Sequence, residues 1–203
     1  MQEQSNEQMT TGHRTMTTDT MREIKFHGRG GQGVVTASQM LGLAFFKAGM
    51  YPQCYSLFGG ERRGAPVVSF LRVDQEKILL KCEIKNPNQL LIFDSSLIDP
   101  DEIRKQVVPG TRILVNTSKA SEVAGKLADF ALGLVDASPI AEKLGLGHVI
   151  NTTILGAYCR LFESLPMDRV IEAVTAMVPA KKEENARAVK EGYNQVSLIE
   201  GRR

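Results

Sequence analysis

The sequence predicts an α/β fold built on a largely parallel sheet, with an antiparallel excursion at one side and a helical C-terminus. Three observations carry this expectation. Short β-rich runs alternate with helical segments over the first two thirds of the chain. A glycine-rich turn separates the first of those strands from the first helix. From Asn151 onward apolar residues recur at helical spacing, interrupted only by Pro166 and Pro179.

Residues 1–20 are rich in Gln, Thr and Glu without hydrophobic periodicity, so they are expected to form a flexible leader ahead of a folded domain spanning 21–203. Arg22–His27 alternates polar and apolar residues, as a strand with one buried face does. Gly28-Arg29-Gly30-Gly31-Gln32-Gly33 follows, and then a helix over Val34–Ala48 with Gly49 as its natural C-cap. Strand, glycine turn and helix in that order make the fold Rossmann-like. Tyr51–Leu57 reads as a short strand, and the glycines and proline of Phe58–Pro66 mark a loop. Val67–Val73 and Ile78–Ile84 read as two strands of a hairpin turning at Asp74–Lys77, which supplies the antiparallel excursion. Gln89–Asp94 is expected to be a buried strand ending in an acid. Helices are expected at Pro100–Val107 and Pro139–Leu144, and strands at Arg112–Asn116 and Ala131–Val135. The C-terminal helices are placed at Thr152–Leu165, Met167–Met177 and Lys181–Val196, the last with a solvated charged face in which Glu183 and Arg187 stand at i,i+4.

Composition excludes several function classes. With 25 Lys and Arg against 23 Asp and Glu, a net charge of +2 provides no basic excess to track nucleic acid. No run reaches the ~18 apolar residues of a membrane helix. The polar N-terminus has no signal-peptide-like run, so the expected compartment is the cytoplasm. Cys54, Cys82 and Cys159 are widely spaced and form no C-x-x-C pair, and His13, His27 and His148 are isolated. No metal site is therefore expected on this chain, and the cysteines read as free thiols. No nucleophile-and-base arrangement is present, so no catalytic residue is assigned.

The glycine loop satisfies G-x-G-x-x-G in its proper context. Glycines let the backbone turn tightly and present N–H groups to an anion at the positive end of a helix, and Arg29 and Gln32 add polar donors. A nicotinamide cofactor would also require an acid roughly 20 residues on, yet Tyr51–Leu57 contains none. Phosphate, pyrophosphate, a partner's backbone, or simple helix packing remain as uses of the turn. Glu61, Arg62 and Arg63 form a second polar cluster on a glycine-rich loop, where arginine forks suit an anionic group or a charged subunit interface. Asp94, at the C-terminal end of a strand, stands where α/β proteins place functional groups, but strand-end acids also cap the next turn, so it is assigned no catalytic role.

Taken together, Arg22–Gly33 and Phe58–Pro66, with Gln89–Asp94, Val149–Gly156 and Gly192-Tyr193 in the same order, resemble the gamma subunit of 2-oxoacid:ferredoxin oxidoreductases, closest to the pyruvate (pyruvate synthase) branch. The resemblance covers about residues 22–196. It implies a hetero-oligomeric enzyme of anaerobic metabolism that interconverts a 2-oxoacid and coenzyme A with acyl-CoA and CO2, passing two electrons to ferredoxin. It implies that thiamine diphosphate, Mg2+ and iron–sulfur clusters of the 4Fe-4S type lie on alpha, beta and ferredoxin-like delta subunits, none being held wholly by this chain. Gly28–Gly33 would then be a cofactor cradle, and Glu61, Arg62 and Arg63 a loop facing the partner or coenzyme A. The Phe-Gly-Gly-Glu-Arg-Arg loop favours pyruvate over 2-oxoglutarate, with 2-oxoisovalerate or an aryl 2-oxoacid as alternatives. A stand-alone nucleotide- or phosphate-binding module and a purely structural scaffold subunit are the competing readings.

Overall fold

The computed structural model describes residues 21–57 and 64–202. Its centre is a seven-stranded sheet in the order β2-β3-β1-β4-β5-β6-β7. The strands are β1 Arg22–Arg29, β2 Tyr51–Leu57, β3 Pro66–Asp74, β4 Gln89–Ile92, β5 Arg112–Asn116, β6 Ala131–Val135 and β7 Ser197–Ile199. The helices are α1 Val34–Lys47, α2 Pro100–Gln106, α3 Ala120–Lys126, α4 Ala137–Lys143, α5 Asn151–Phe162, α6 Met167–Met177 and α7 Lys182–Gln195.

β1, β4, β5 and β6 are parallel neighbours, whereas β3 lies antiparallel between β1 and β2, and β7 lies antiparallel at the other edge. β4, β5 and β6 are covered on both sides, which is why Leu90-Leu91-Ile92 and Ile113-Leu114-Val115 are continuous apolar runs. One face of the sheet packs α1, α5, α6 and α7 over Ile24, Phe26, Leu91 and Leu114. The other buries Leu90, Ile92, Ile113 and Val115 beside Ile103, Val107 and Val123, carried by α2, the turn that ends it, and α3. Each such side chain, fully buried, contributes about 1.5–3 kcal/mol of hydrophobic stabilisation. Local signals start the helices: Asp99 accepts hydrogen bonds from the amides of Asp101 and Glu102, and Pro100 occupies the first helical position of α2.

The sheet differs from expectation in two places, the segment Ile78–Ile84 and the added edge strand β7. Ile78–Ile84 is not a strand. β3 has both edges occupied, by β1 and by β2, so a hairpin partner has no ladder to join. The antiparallel excursion is the β2–β3 pair instead. Side chains fix the displaced segment: Gln53 Nε2 donates to the Leu80 carbonyl at 2.9 Å, and the buried Arg72 guanidinium donates to the Cys82 carbonyl at 2.8 Å. Without a ladder the segment has no continuous buried face: Leu79 and Leu80 are exposed, and Ile84 at its end is buried. α3 and β7 are additional to the elements expected from sequence. Residues 1–20, expected as a leader, lie outside the described residues.

Candidate functional site: the glycine turn at the switch point

β1 feeds α1 onto one face of the sheet, while β4 feeds α2 onto the opposite face. The gap between the C-terminal ends of β1 and β4 is therefore a topological switch point, where open α/β sheets bind ligands. The glycine segment stands at one side of this gap and Asp94, following β4, at the other.

The turn is built as its sequence requires. β1 runs on through Gly28, paired with Val67, and Arg29, paired with Pro66. A Cβ on Gly28 would stand 2.6 Å from Val34 Cγ2 and 2.8 Å from Phe93 Cβ, so only glycine lets the start of α1 seat against β4. Gly33 caps α1 in the left-handed region at φ 74°, and a Cβ there would meet Asn151 Nδ2 at 2.6 Å. No side chain caps the first turn of α1, so its amides and the helix dipole are left to the surroundings. Beside them opens a cleft of about 660 Å3, lined by Gly31, Gln32, Ser138, Glu142, Gly147, His148 and Ile150.

The Arg29 guanidinium and the Gln32 side-chain oxygen are engaged within the protein. Gln32 Oε1 accepts from the Arg29 amide at 2.7 Å and braces the turn from within. Arg29 crosses the switch-point gap: Nε donates to Asp94 Oδ2 at 2.8 Å, one terminal nitrogen to Ser96 Oγ at 3.0 Å, and the other to the Gly64 carbonyl at 3.2 Å. Burial by itself raises the Asp94 pKa, but the Ser96 hydroxyl and amide and the Arg29 guanidinium outweigh it and hold the carboxyl below its ordinary range. Burial, with Lys25 and Arg29 nearby, lowers the pKa of His27 on the same strand.

Glu61, Arg62 and Arg63 lie outside the described residues. Their C-terminal neighbours are tied to the glycine turn: the Gly64 amide donates to the Gly30 carbonyl at 3.1 Å, and the Gly30 amide to the Ala65 carbonyl at 2.9 Å. Asp94, Ser96 and Asn151 complete the site but were not signalled as its members by the sequence. Asp94 carried one usable cue, an acid at the C-terminal end of a buried strand.

A dinucleotide site would place its ribose-binding acid on the strand beside β1. Here β3 takes that place on one side, and on the other the acid ending β4 is engaged by Arg29. Among the described residues no group of three or more His, Cys, Asp or Glu side chains converges, and no helix is long and apolar enough to cross a membrane.

The family described as pyruvate ferredoxin/flavodoxin oxidoreductase matches residues 23–195. A pyruvate/ketoisovalerate oxidoreductases common subunit gamma from Thermococcus kodakarensis is 42% identical over 185 residues, covering 89% of this chain and 100% of the relative. A pyruvate synthase subunit PorC from Methanocaldococcus jannaschii is 35% identical, covering 87% of this chain and 97% of the relative. The crystal structure of pyruvate oxidoreductase subunit PORC from Thermotoga maritima superposes with a TM-score of 0.77 at 32% identity, covering 89% and 99% of the two chains. With the α/β fold and its glycine turn in place, these matches over nearly nine tenths of the chain show that it belongs to the pyruvate ferredoxin/flavodoxin oxidoreductase family and is a gamma subunit of such an oxidoreductase.

Proposed function

We propose that this gamma subunit serves a coenzyme A-dependent interconversion of pyruvate, or a closely similar small 2-oxoacid, with acyl-CoA and CO2. In the oxidative direction the 2-oxoacid and the thiol of coenzyme A give the thioester, CO2, a proton and two electrons, which pass to ferredoxin. The observation that carries this reading is coverage: the chain matches nearly the whole length of relatives named as gamma or PorC subunits. Alpha, beta and ferredoxin-like delta subunits are the partners, in the cytoplasm. Thiamine diphosphate, Mg2+ and the 4Fe-4S clusters belong to those partners, in keeping with three widely spaced cysteines that form no C-x-x-C pair. The domain beginning at about residue 21 packs near the thiamine site.

The part assigned to this chain is electrostatic. Amide groups of Gly31 and Gly33 and the uncapped first turn of α1 offer fixed donors to the phosphates of coenzyme A as it approaches, the Gly30 and Gln32 amides being bonded within the fold, and Glu61, Arg62 and Arg63, which precede Gly64 in sequence, add charge. Preset backbone dipoles need no reorganisation when an anion arrives. The 2-oxoacid is selected elsewhere in the complex, in keeping with the relative named as a subunit common to pyruvate and ketoisovalerate oxidoreductases.

The test is a native pull-down of the tagged chain from its own cells, assayed for pyruvate- and coenzyme A-dependent reduction of a viologen dye. Activity accompanied by thiamine- and cluster-bearing chains is the expected result. A colourless, inactive chain recovered alone would overturn the proposal.

A further inference from the structure

The geometry points to Arg29 as a positioning residue, and we infer that it sets the orientation of the glycine turn by pinning it across the switch-point gap. Three segments far apart in sequence meet at this guanidinium: the turn itself, the acid and serine that follow β4, and the return of the β2–β3 connection at Gly64. Arginine alone among the side chains can do this. Its planar fork directs donors along separate fixed lines, so Asp94, Ser96 and Gly64 are held at once. Asp94 is in turn oriented by the Ser96 amide at 2.9 Å and the Ser96 hydroxyl at 2.6 Å, so the acceptor side is rigid before Arg29 arrives. On the turn's inner side, Gln32 Oε1 holds the Arg29 amide and Gly30 is bonded in both directions to Gly64 and Ala65.

Arg29 therefore contributes nothing to anion binding through its own charge. Asp94 neutralises that charge, and three of its five donors are committed. Its effect passes through the backbone, as the direction in which Gly31, Gly33 and the first turn of α1 present their amides. The role rests on the proposed function for the ligand, coenzyme A, and on the described geometry alone for the pin.

The experiment uses the assembled oxidoreductase carrying Arg29→Ala, Arg29→Lys or Asp94→Asn in this chain, with Gly31→Ala as comparator. Two quantities are read: deuterium uptake of peptides covering 28–33 and 64–66, and the KM for coenzyme A set against kcat. Loss of charge-assisted bonds of this kind is expected to raise both the uptake rate and the coenzyme A KM about tenfold in Arg29→Ala, with kcat changed less than about twofold. Arg29→Lys, which keeps the charge and loses the fork, is expected to fall between, and Asp94→Asn to reproduce part of the effect from the opposite side of the gap. Unchanged deuterium uptake in Arg29→Ala would overturn the pin. Faster uptake with an unmoved KM, in a complex where Gly31→Ala does raise the KM, would reduce Arg29 to a structural tie. If neither variant moves the KM, the coenzyme A reading of the turn falls, and the positioning role falls with it.

Discussion

Gly31 and Gly33 line an open turn, whereas Gly156 and Gly192 sit where α5 crosses α7. In the turn the missing side chains leave backbone amides accessible and free to take a left-handed conformation, at φ 99° for Gly31 and 74° for Gly33. At the crossing the missing side chains let two helices touch. A Cβ on Gly156 would lie 1.8 Å from the Val189 carbonyl oxygen, and one on Gly192 1.9 Å from that of Thr153. The same residue serves exposure in one region and exclusion in the other. The crossing thus holds the helical layer on which α1 rests, and the turn can stay open because stability is supplied elsewhere.

The largest effect expected from breaking this division is at the crossing. Gly156→Ala forces α5 and α7 apart against backbone, with no flexible side chain to yield, and overpacking of this kind destabilises by about 3 kcal/mol or more. Chemical denaturation of the purified complex or chain measures it. A thiol reagent gives a second readout. Cys159 on α5 is buried and burial pushes its pKa up to about 12, so it is expected to stay unreactive at pH 8 while the exposed Cys82 reacts, and Cys54, exposed but with its thiol also pushed up by burial, reacts more slowly than Cys82. Gly156→Ala is expected to expose Cys159 to the reagent well below the denaturation midpoint of the unsubstituted protein.

Substitution in the turn is expected to be milder. Gly33→Ala places a side chain at positive φ and 2.6 Å from Asn151 Nδ2, a terminal atom that can swing away. The strain amounts to about 1–3 kcal/mol, read as a shift in the same denaturation midpoint. A loss as large as that of Gly156→Ala would erase the distinction between the two regions.

The smallest expected effect is the pH dependence of the Arg29–Asp94 pair, which is partly exposed and worth no more than about 1 kcal/mol. The folded-state pKa of Asp94 is depressed, so its contribution is fully present above the unfolded-state carboxylate value. It is lost as pH falls through the folded value. The stability difference between the unsubstituted protein and Asp94→Asn is accordingly expected to shrink between neutral and strongly acidic pH, which a series of denaturation curves would show.

Which of these features a reader of the sequence could see follows from how local each one is. β1, the glycine turn and α1 were legible because alternation, glycine spacing and helical period all fall within about thirty consecutive residues. The parallel core was legible from its apolar runs. The strand expected at Ile78–Ile84 failed because its alternating pattern says nothing about a free edge, and β3 had none to offer. The Arg29–Asp94 pair was hidden by a separation of 65 residues. Gly156 and Gly192 were invisible as packing sites, since a glycine within a helical run reads only as a weak helix former until its neighbour across the crossing is known. Around Gly28–Gly33 the expected strand, turn and helix formed, while the roles of Arg29 and Gln32 as internal braces required the fold.

The claim that the open turn is the functional region is tested most directly by photolabelling. A photoreactive coenzyme A analogue would be irradiated on the assembled oxidoreductase, and the modified peptides mapped. Labelling within Gly28–Gly33 or the adjoining Glu61–Gly64 segment, suppressed by excess coenzyme A, is the predicted result. Competed label confined to other subunits, with none on this chain, would contradict it.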